Sequence, residues 1–168
     1  SGITGGWAAK ELTEKGLKTL VLERGREVPH GDDYVTEHVN PWEMPLHGRG
    51  SRQEFESEYP MQSRAGPFNA YNKHWVVKDA EHPYTRADDT DFLWIRGYHL
   101  GGRCISWGRQ CYRWSDLDFE ANARDGIAVD WPIRYADIAP WYDYVEEYVG
   151  ISGEKLGLPH LPDGPFLP

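Results

Sequence analysis

Near its start the sequence reads SGITGGWAAKEL, with Gly2 and Gly5 three apart and an amphipathic stretch directly behind them. Glycines at that spacing, at the mouth of a helix, mark places where a Cβ would obstruct a turn or a close backbone approach. Residues 4–15 put Trp7, Ala8, Leu12 and Gly5 on one helical stripe and Lys10, Glu11, Glu14 and Lys15 on the opposite face. That pattern predicts a short helix packed on a sheet. Gly16 reads as its C-terminal stop, and LKTLVLE then gives a continuous apolar run of strand length ending in Glu23. A helix followed at once by a buried strand is half of a βαβ unit.

The expected fold class is therefore α/β: a Rossmann-like dinucleotide-binding βαβ fold whose first strand would precede Ser1, with long irregular loops and a C-terminal helix. Such a unit wants G-x-G-x-x-G between strand and helix. SGITG supplies the last two glycines, with Gly2 as the residue of close approach to a diphosphate, Gly5 as the helix-packing residue, and Ile3 and Thr4 between them. The helix N-terminus would offer free N–H groups and a partial positive charge to the phosphates. Glu23 stands about 20 positions on, where such a fold presents a carboxylate to the adenosine ribose, and Arg24 follows it. These features point to an adenine dinucleotide, and both NAD and FAD use this unit.

Bulk properties narrow the classes. A net charge of −9 with no long basic stretch gives nucleic-acid binding no electrostatic footing. No apolar run approaches the roughly 18 residues of a membrane-spanning helix. Cys104 and Cys111, seven apart, match neither a C-x-x-C redox pair nor a zinc knuckle and read as plain thiols, and no metal site is expected. From 26 to 91 the pattern dissolves into Pro-, Gly-, His- and Asp-rich sequence with short strand-like pieces such as HWVV, a loop-rich insertion of the kind that covers a site. Order returns at FLWIRGYHLGGRCISWGRQCYRWS, and a helix is predicted from about Tyr135 to Tyr148. Its apolar stripe is Ile138, Trp141, Tyr142, Val145 and Val149, while Asp143, Glu146 and Glu147 face water.

Three boxes in order carry a family resemblance. SGITGG with LVLERG looks like the amino-terminal FAD box of the glucose–methanol–choline flavin oxidoreductases. RGYHLGGRCISWGRQCYR resembles their second flavin box, and the aromatic-rich segment leading into the last helix is similar to a third family segment. The resemblance runs from residue 1 to about 153, is weakest between 26 and 91, and within the family looks closest to bacterial sugar or polyol dehydrogenases. It implies that residues 1–168 are a partial FAD-binding domain of a larger two-domain flavoprotein. It further implies oxidation of a CH–OH group of a sugar or polyol, with hydride passing to FAD, and an electron-acceptor subunit or cytochrome as partner. The second box has a physical reading too. Gly101, Gly102 and Gly108 bring backbone close, Arg103 can meet the diphosphate, and Ser106 can donate a hydrogen bond.

Relatives that attach FAD through a His place it at the position matching Ser106, and serine cannot form that bond, so FAD is expected to be held non-covalently. His74 and His99 are alternative attachment points, although a lone loop histidine is more often a surface or hydrogen-bonded residue. Trp107 stands where many relatives have an Asn near the flavin and is expected to pack beside the ring. The family's catalytic His pair comes from a later part of the chain, so no residue here is assigned as catalytic base. The absent first strand leads to the expectation that this segment alone folds poorly and binds FAD weakly. WGRQCYRW and NAYNKHW are candidate pocket walls, with core packing the competing explanation. Two readings compete with the flavoprotein: an NAD-linked dehydrogenase, and a non-catalytic nucleotide-binding or subunit-interface module. Oxidase or dehydrogenase, exact substrate and compartment stay open at this point.

Overall fold

The structure is a computed structural model that describes residues 1–167. It divides into two compact units, residues 1–107 and 108–168. The expected α/β fold is not what forms. The described residues hold helices and irregular backbone with no strand and no sheet, so the Rossmann-like βαβ assignment is overturned.

In the first unit, α1 spans Ile3–Glu14, close to the sequence expectation. It ends as expected too: Gly16 takes a left-handed φ of 82°, which a side chain would resist. The apolar run behind it forms no strand. Leu20 and Leu22 are each 81% exposed. An isolated extended segment has no ladder to hold it, and pairing comes from elsewhere in the chain, so an apolar run of this length cannot by itself specify a strand. The ladder-like contact nearest to it is one parallel bridge between Arg26 and His99. With no sheet to receive it, α1 buries none of its residues, and Leu12 stays exposed.

The core of this unit is built within the stretch that reads as loop. Helix α2, Arg52–Glu58, starts where the Ser51 hydroxyl accepts the Glu54 N–H at 3.3 Å. It delivers Phe55 and Tyr59 to a cluster with Phe68, whose ring lies 4.9 Å from Phe55 and 5.2 Å from Tyr59. Ala70 and Val77 are buried as well. A Cβ on Gly50 would collide with the Phe55 ring and one on Gly48 with the Tyr71 ring, so these glycines let the chain close over the aromatics. HWVV forms no strand. Lys73–Trp75 make a single 3₁₀ turn, and the Val77 N–H then donates to the Arg96 carbonyl at 2.8 Å.

The second unit carries α3 (Asp116–Phe119), α4 (Ala121–Asp125) and α5 (Tyr135–Val149). Ser115 caps α3 through its hydroxyl, and Asp118 reaches back to the Ser115 N–H at 2.8 Å. Phe119 is 2% exposed and meets Trp114 and Trp131 at ring distances near 6 Å. Helix α5 departs from its expected faces. Trp141 and Val149 are exposed, whereas Glu146, expected to face water, is buried. Its carboxylate accepts from Arg113 Nε at 2.9 Å and Nη2 at 2.8 Å. Asp143 accepts from Nη2 as well, and the Tyr135 hydroxyl accepts from Nη1 at 2.9 Å. Burial works against the Arg113 charge, but those hydrogen bonds more than offset it and its pKa is raised.

Candidate functional site

Three short segments of the first unit meet at the opening turn. Gly2 has φ 96°, a conformation that favours glycine, and a Cβ placed on it would reach the Gly101 carbonyl oxygen at 3.5 Å. The Ser1 hydroxyl accepts the Gly101 N–H at 2.9 Å and donates to the Glu23 carboxylate. The other Glu23 oxygen accepts the Gly25 N–H at 2.7 Å. A Cβ on Gly25 would collide with the His99 backbone, and the Leu100 N–H donates to the Arg26 carbonyl at 2.7 Å. The chain at 23–26 is thus laid against 98–101, with the opening turn beside both.

The charge at this junction is set by hydrogen bonds. The Ser1 hydroxyl, then the Gly25 amide, stabilise the ionised Glu23 carboxylate and bring its pKa from the usual 4.5 down to about 2. Helix α1 begins at the same place. Gly6 N–H makes the first helical bond, to the Gly2 carbonyl at 2.8 Å, and no side chain caps the turn. The first amides of α1 therefore keep their hydrogen-bonding capacity and the positive end of the helix dipole. Ile3 and Thr4 lie exposed in that first turn, and the Cβ position of Gly5 is open, with no strand for it to pack on. The Arg24 guanidinium stacks 3.8 Å from the Tyr98 ring centre.

The later glycine turn leads away from this junction. Gly101 and Gly102 have φ of 83° and 56°, and Gly102–Ile105 make one 3₁₀ turn. Arg103 and Ser106 then line a cavity of about 310 Å3 with Phe68, Trp75 and Ile95 among its apolar walls. Arg103 Nη1 donates to the Ile95 carbonyl at 3.3 Å. Trp107 is 41% exposed, and Gly108 belongs to the second unit. Of the suggested wall stretches, NAYNKHW contributes Asn72 and Trp75 to the cavity. In WGRQCYRW, Tyr112 is exposed and Trp114 packs against Phe119 and Trp131.

The structure thus brings Gly2, Glu23 and Gly101 to one junction, and Arg103 and Ser106 to one cavity. Sequence reasoning missed Ser1 and Gly25 as the groups that hold the carboxylate. It also missed Ile95 and Phe68, which a spacing argument has no means to connect to Arg103. Among the described residues no cluster of three or more His, Cys, Asp or Glu could hold a metal ion, and no helix is long and apolar enough to cross a membrane. Both cysteines are free thiols.

No family model and no solved structure matches the chain. Curated relatives do. The chain is 27% identical over 157 residues to 6'''-hydroxyparomomycin C oxidase of Streptomyces lividus, covering 91% of this chain and 22% of the relative. It is 26% identical over 165 residues to 2-methyl-1,2-propanediol dehydrogenase of Mycolicibacterium austroafricanum, covering 97% and 25%. To the fructose dehydrogenase large subunit of Gluconobacter japonicus it is 24% identical over 155 residues, covering 91% and 26%. All three relatives are oxidoreductases by name, and the chain spans about a quarter of their length.

Proposed function

We propose that this chain is the FAD-binding portion of an oxidoreductase of the glucose–methanol–choline type, acting on the CH–OH group of a sugar or polyol with FAD held non-covalently. The observation that carries the reading is the junction itself. The Ser1 hydroxyl links the ionised Glu23 carboxylate to Gly101 of the second glycine turn, and Gly2, with its left-handed φ at the uncapped start of α1, lies beside Gly101. These residues fit the group. The α1 amides at Gly2, Ile3, Thr4 and Gly5 suit a diphosphate, and Glu23 suits ribose hydroxyls. The Gly101–Gly102 backbone allows close approach, and Arg103 with Ser106 offers donors inside an apolar-walled cavity.

When bound, FAD supplies the two-electron acceptor for an alcohol carbon. The residues here bind and orient it. None is assigned as the base for the hydroxyl proton. The names of the three relatives, one oxidase and two dehydrogenases, support oxidation of a hydroxylated substrate. That one relative is named a large subunit supports an accompanying electron-acceptor subunit.

The test is spectroscopic. The protein purified from its source should show the flavin absorption bands, and acid precipitation should leave the flavin in the supernatant. Glu23→Gln should lower flavin retention under dialysis. Colourless protein that binds NAD instead would replace this reading with the nicotinamide one, and flavin that stays with the precipitate would remove the non-covalent assignment.

A further inference from the structure

The loop from Tyr84 to Trp94 in the first unit takes no part in the glycine-turn junction or in the cavity behind Arg103. Its two ends are tied together. The Tyr84 hydroxyl accepts the Trp94 N–H at 3.2 Å, and the two rings meet edge to face at 5.7 Å. Phe92 adds its ring to Tyr84 at 6.3 Å. At the tip the Thr90 N–H and hydroxyl both donate to the Ala87 carbonyl, at 3.1 and 2.9 Å, and Arg86 Nη1 donates to the Thr90 carbonyl. The turn is held by its own hydrogen bonds, so a partner would meet it with little ordering left to do.

What this loop shows to solvent is aromatic and acidic. Phe92 is 54% exposed and Trp94 42%. Large aromatic side chains exposed side by side have the composition of an interface core rather than of ordinary surface. Every residue from 85 to 92 is exposed. Asp88, Asp89 and Asp91 stand on that stretch, and none of them pairs with a cation or accepts a hydrogen bond among the described residues. The loop's single arginine is turned back onto the Thr90 carbonyl. The same rings already hold one guanidinium from within: Arg96 lies 4.4 Å from the Trp94 ring centre and 5.1 Å from that of Tyr84. Arg96 is matched by Asp79 at 2.9 Å, so the charge of the three tip carboxylates is left uncancelled. A second copy of this chain, with its net charge of −9, would bring the same carboxylates against them. Guanidinium groups answer both features, because they stack on aromatic rings and pair with carboxylates.

We propose that the Tyr84–Trp94 loop is a docking surface for a basic protein segment, whose arginines lie on Phe92 and Trp94 and pair with Asp88, Asp89 and Asp91. The surface concerns a macromolecular partner and stands whether or not FAD is held at the glycine turns.

The experiment is a fluorescence-anisotropy titration of labelled nona-arginine and nona-lysine peptides with the full chain, at about 50 and about 300 mM sodium chloride. Saturable binding is expected at the lower salt and weaker binding at the higher. Nona-arginine should bind at least about threefold tighter than nona-lysine, since a planar guanidinium stacks on a ring better than an ammonium does. Replacing Asp88, Asp89 and Asp91 together by Asn should weaken nona-arginine binding by at least about tenfold. An acidic protein attracts any polycation, so a control carries the same charge change elsewhere. Asp125→Asn, Glu147→Gln and Glu154→Gln together, all exposed in the second unit, should change the affinity by less than about twofold. Trp94→Gln should remove the preference for arginine over lysine. The triple Asn variant alters only exposed side chains that bond to nothing else in the chain, so it decides the matter even if Trp94→Gln does not fold. Equal losses in the two triple variants would overturn the proposal, as would nona-lysine binding as tightly as nona-arginine. Self-association of the chain that the triple Asn variant strengthens would overturn it in favour of a second copy as occupant.

Discussion

Arg113 and His99 are equally buried, each 4% exposed, and stand in opposite conditions. Every guanidinium nitrogen of Arg113 is engaged, by Glu146, Asp143 and Tyr135. Neither ring nitrogen of His99 has a hydrogen-bond partner of good geometry. The contrast extends to the units that hold them. All the buried side-chain atoms without partners among the described residues, from Gln62, Tyr71, His74, Asp79 and His99, lie in the first unit. Burying a polar group costs free energy that only a partner returns, so the two clusters should answer substitution in opposite ways.

The strongest way to break this comparison is to unmake the saturated cluster. Arg113→Met leaves the Glu146 carboxylate buried without its partner, and the expected cost is about 3 to 5 kcal/mol of unfolding free energy, read by urea denaturation. Adding Glu146→Leu should recover much of that loss, since two apolar side chains remove the orphaned charge. A single variant that costs under about 1 kcal/mol would show that the cluster is not structural.

A smaller effect is expected at the edge of the same cluster. A Cβ on Gly164 would run into the Glu146 carboxylate and lie 2.9 Å from Arg113 Nη2. Both neighbours are side-chain ends held by each other, so Gly164→Ala should cost roughly 1 to 3 kcal/mol through overpacking. An unchanged melting temperature would mean that the ion pair yields easily and is looser than its hydrogen bonds suggest.

Glu23 sharpens the comparison from the first unit, because its carboxylate is satisfied but exposed. Its folded pKa near 2 lies below the ordinary 4.5, so the carboxylate favours the folded state above about pH 4.5 and loses that contribution as pH falls toward 2. The difference in melting temperature between the native protein and Glu23→Gln should be full at neutral pH and should close over that interval. A difference that is constant from pH 7 to about 2 would mean that Ser1 and Gly25 do not hold the carboxylate.

The same contrast explains what could be read from the sequence. Helices α1 and α5 were legible because their determinants are local: apolar spacing, Gly16 at one end and Gly150, with φ 80°, at the other. The strand at Leu17–Glu23 was misread because pairing is non-local, and an exposed extended run has the same composition as a buried one. Glu146 was assigned to solvent from its neighbours on the helix, while its partner Arg113 lies 33 residues away. In the candidate site, Glu23 could be picked out by its distance from the glycines. The Ser1 hydroxyl that bridges it to Gly101, 100 residues on, could not.

The least perturbing change is the most pointed test of the comparison. Replacing a satisfied buried group leaves a partner behind, but His99 has no partner to orphan, so His99→Leu removes an unpaid desolvation and little else. Its unfolding free energy should stay within about 0.5 kcal/mol of the native value or rise slightly. Ring contacts with Trp75, at a centroid distance of 5.8 Å, would be replaced by aliphatic packing of similar volume. A loss of about 2 kcal/mol or more would mean that the imidazole is satisfied in solution. His99 and Arg113 would then be two instances of one condition.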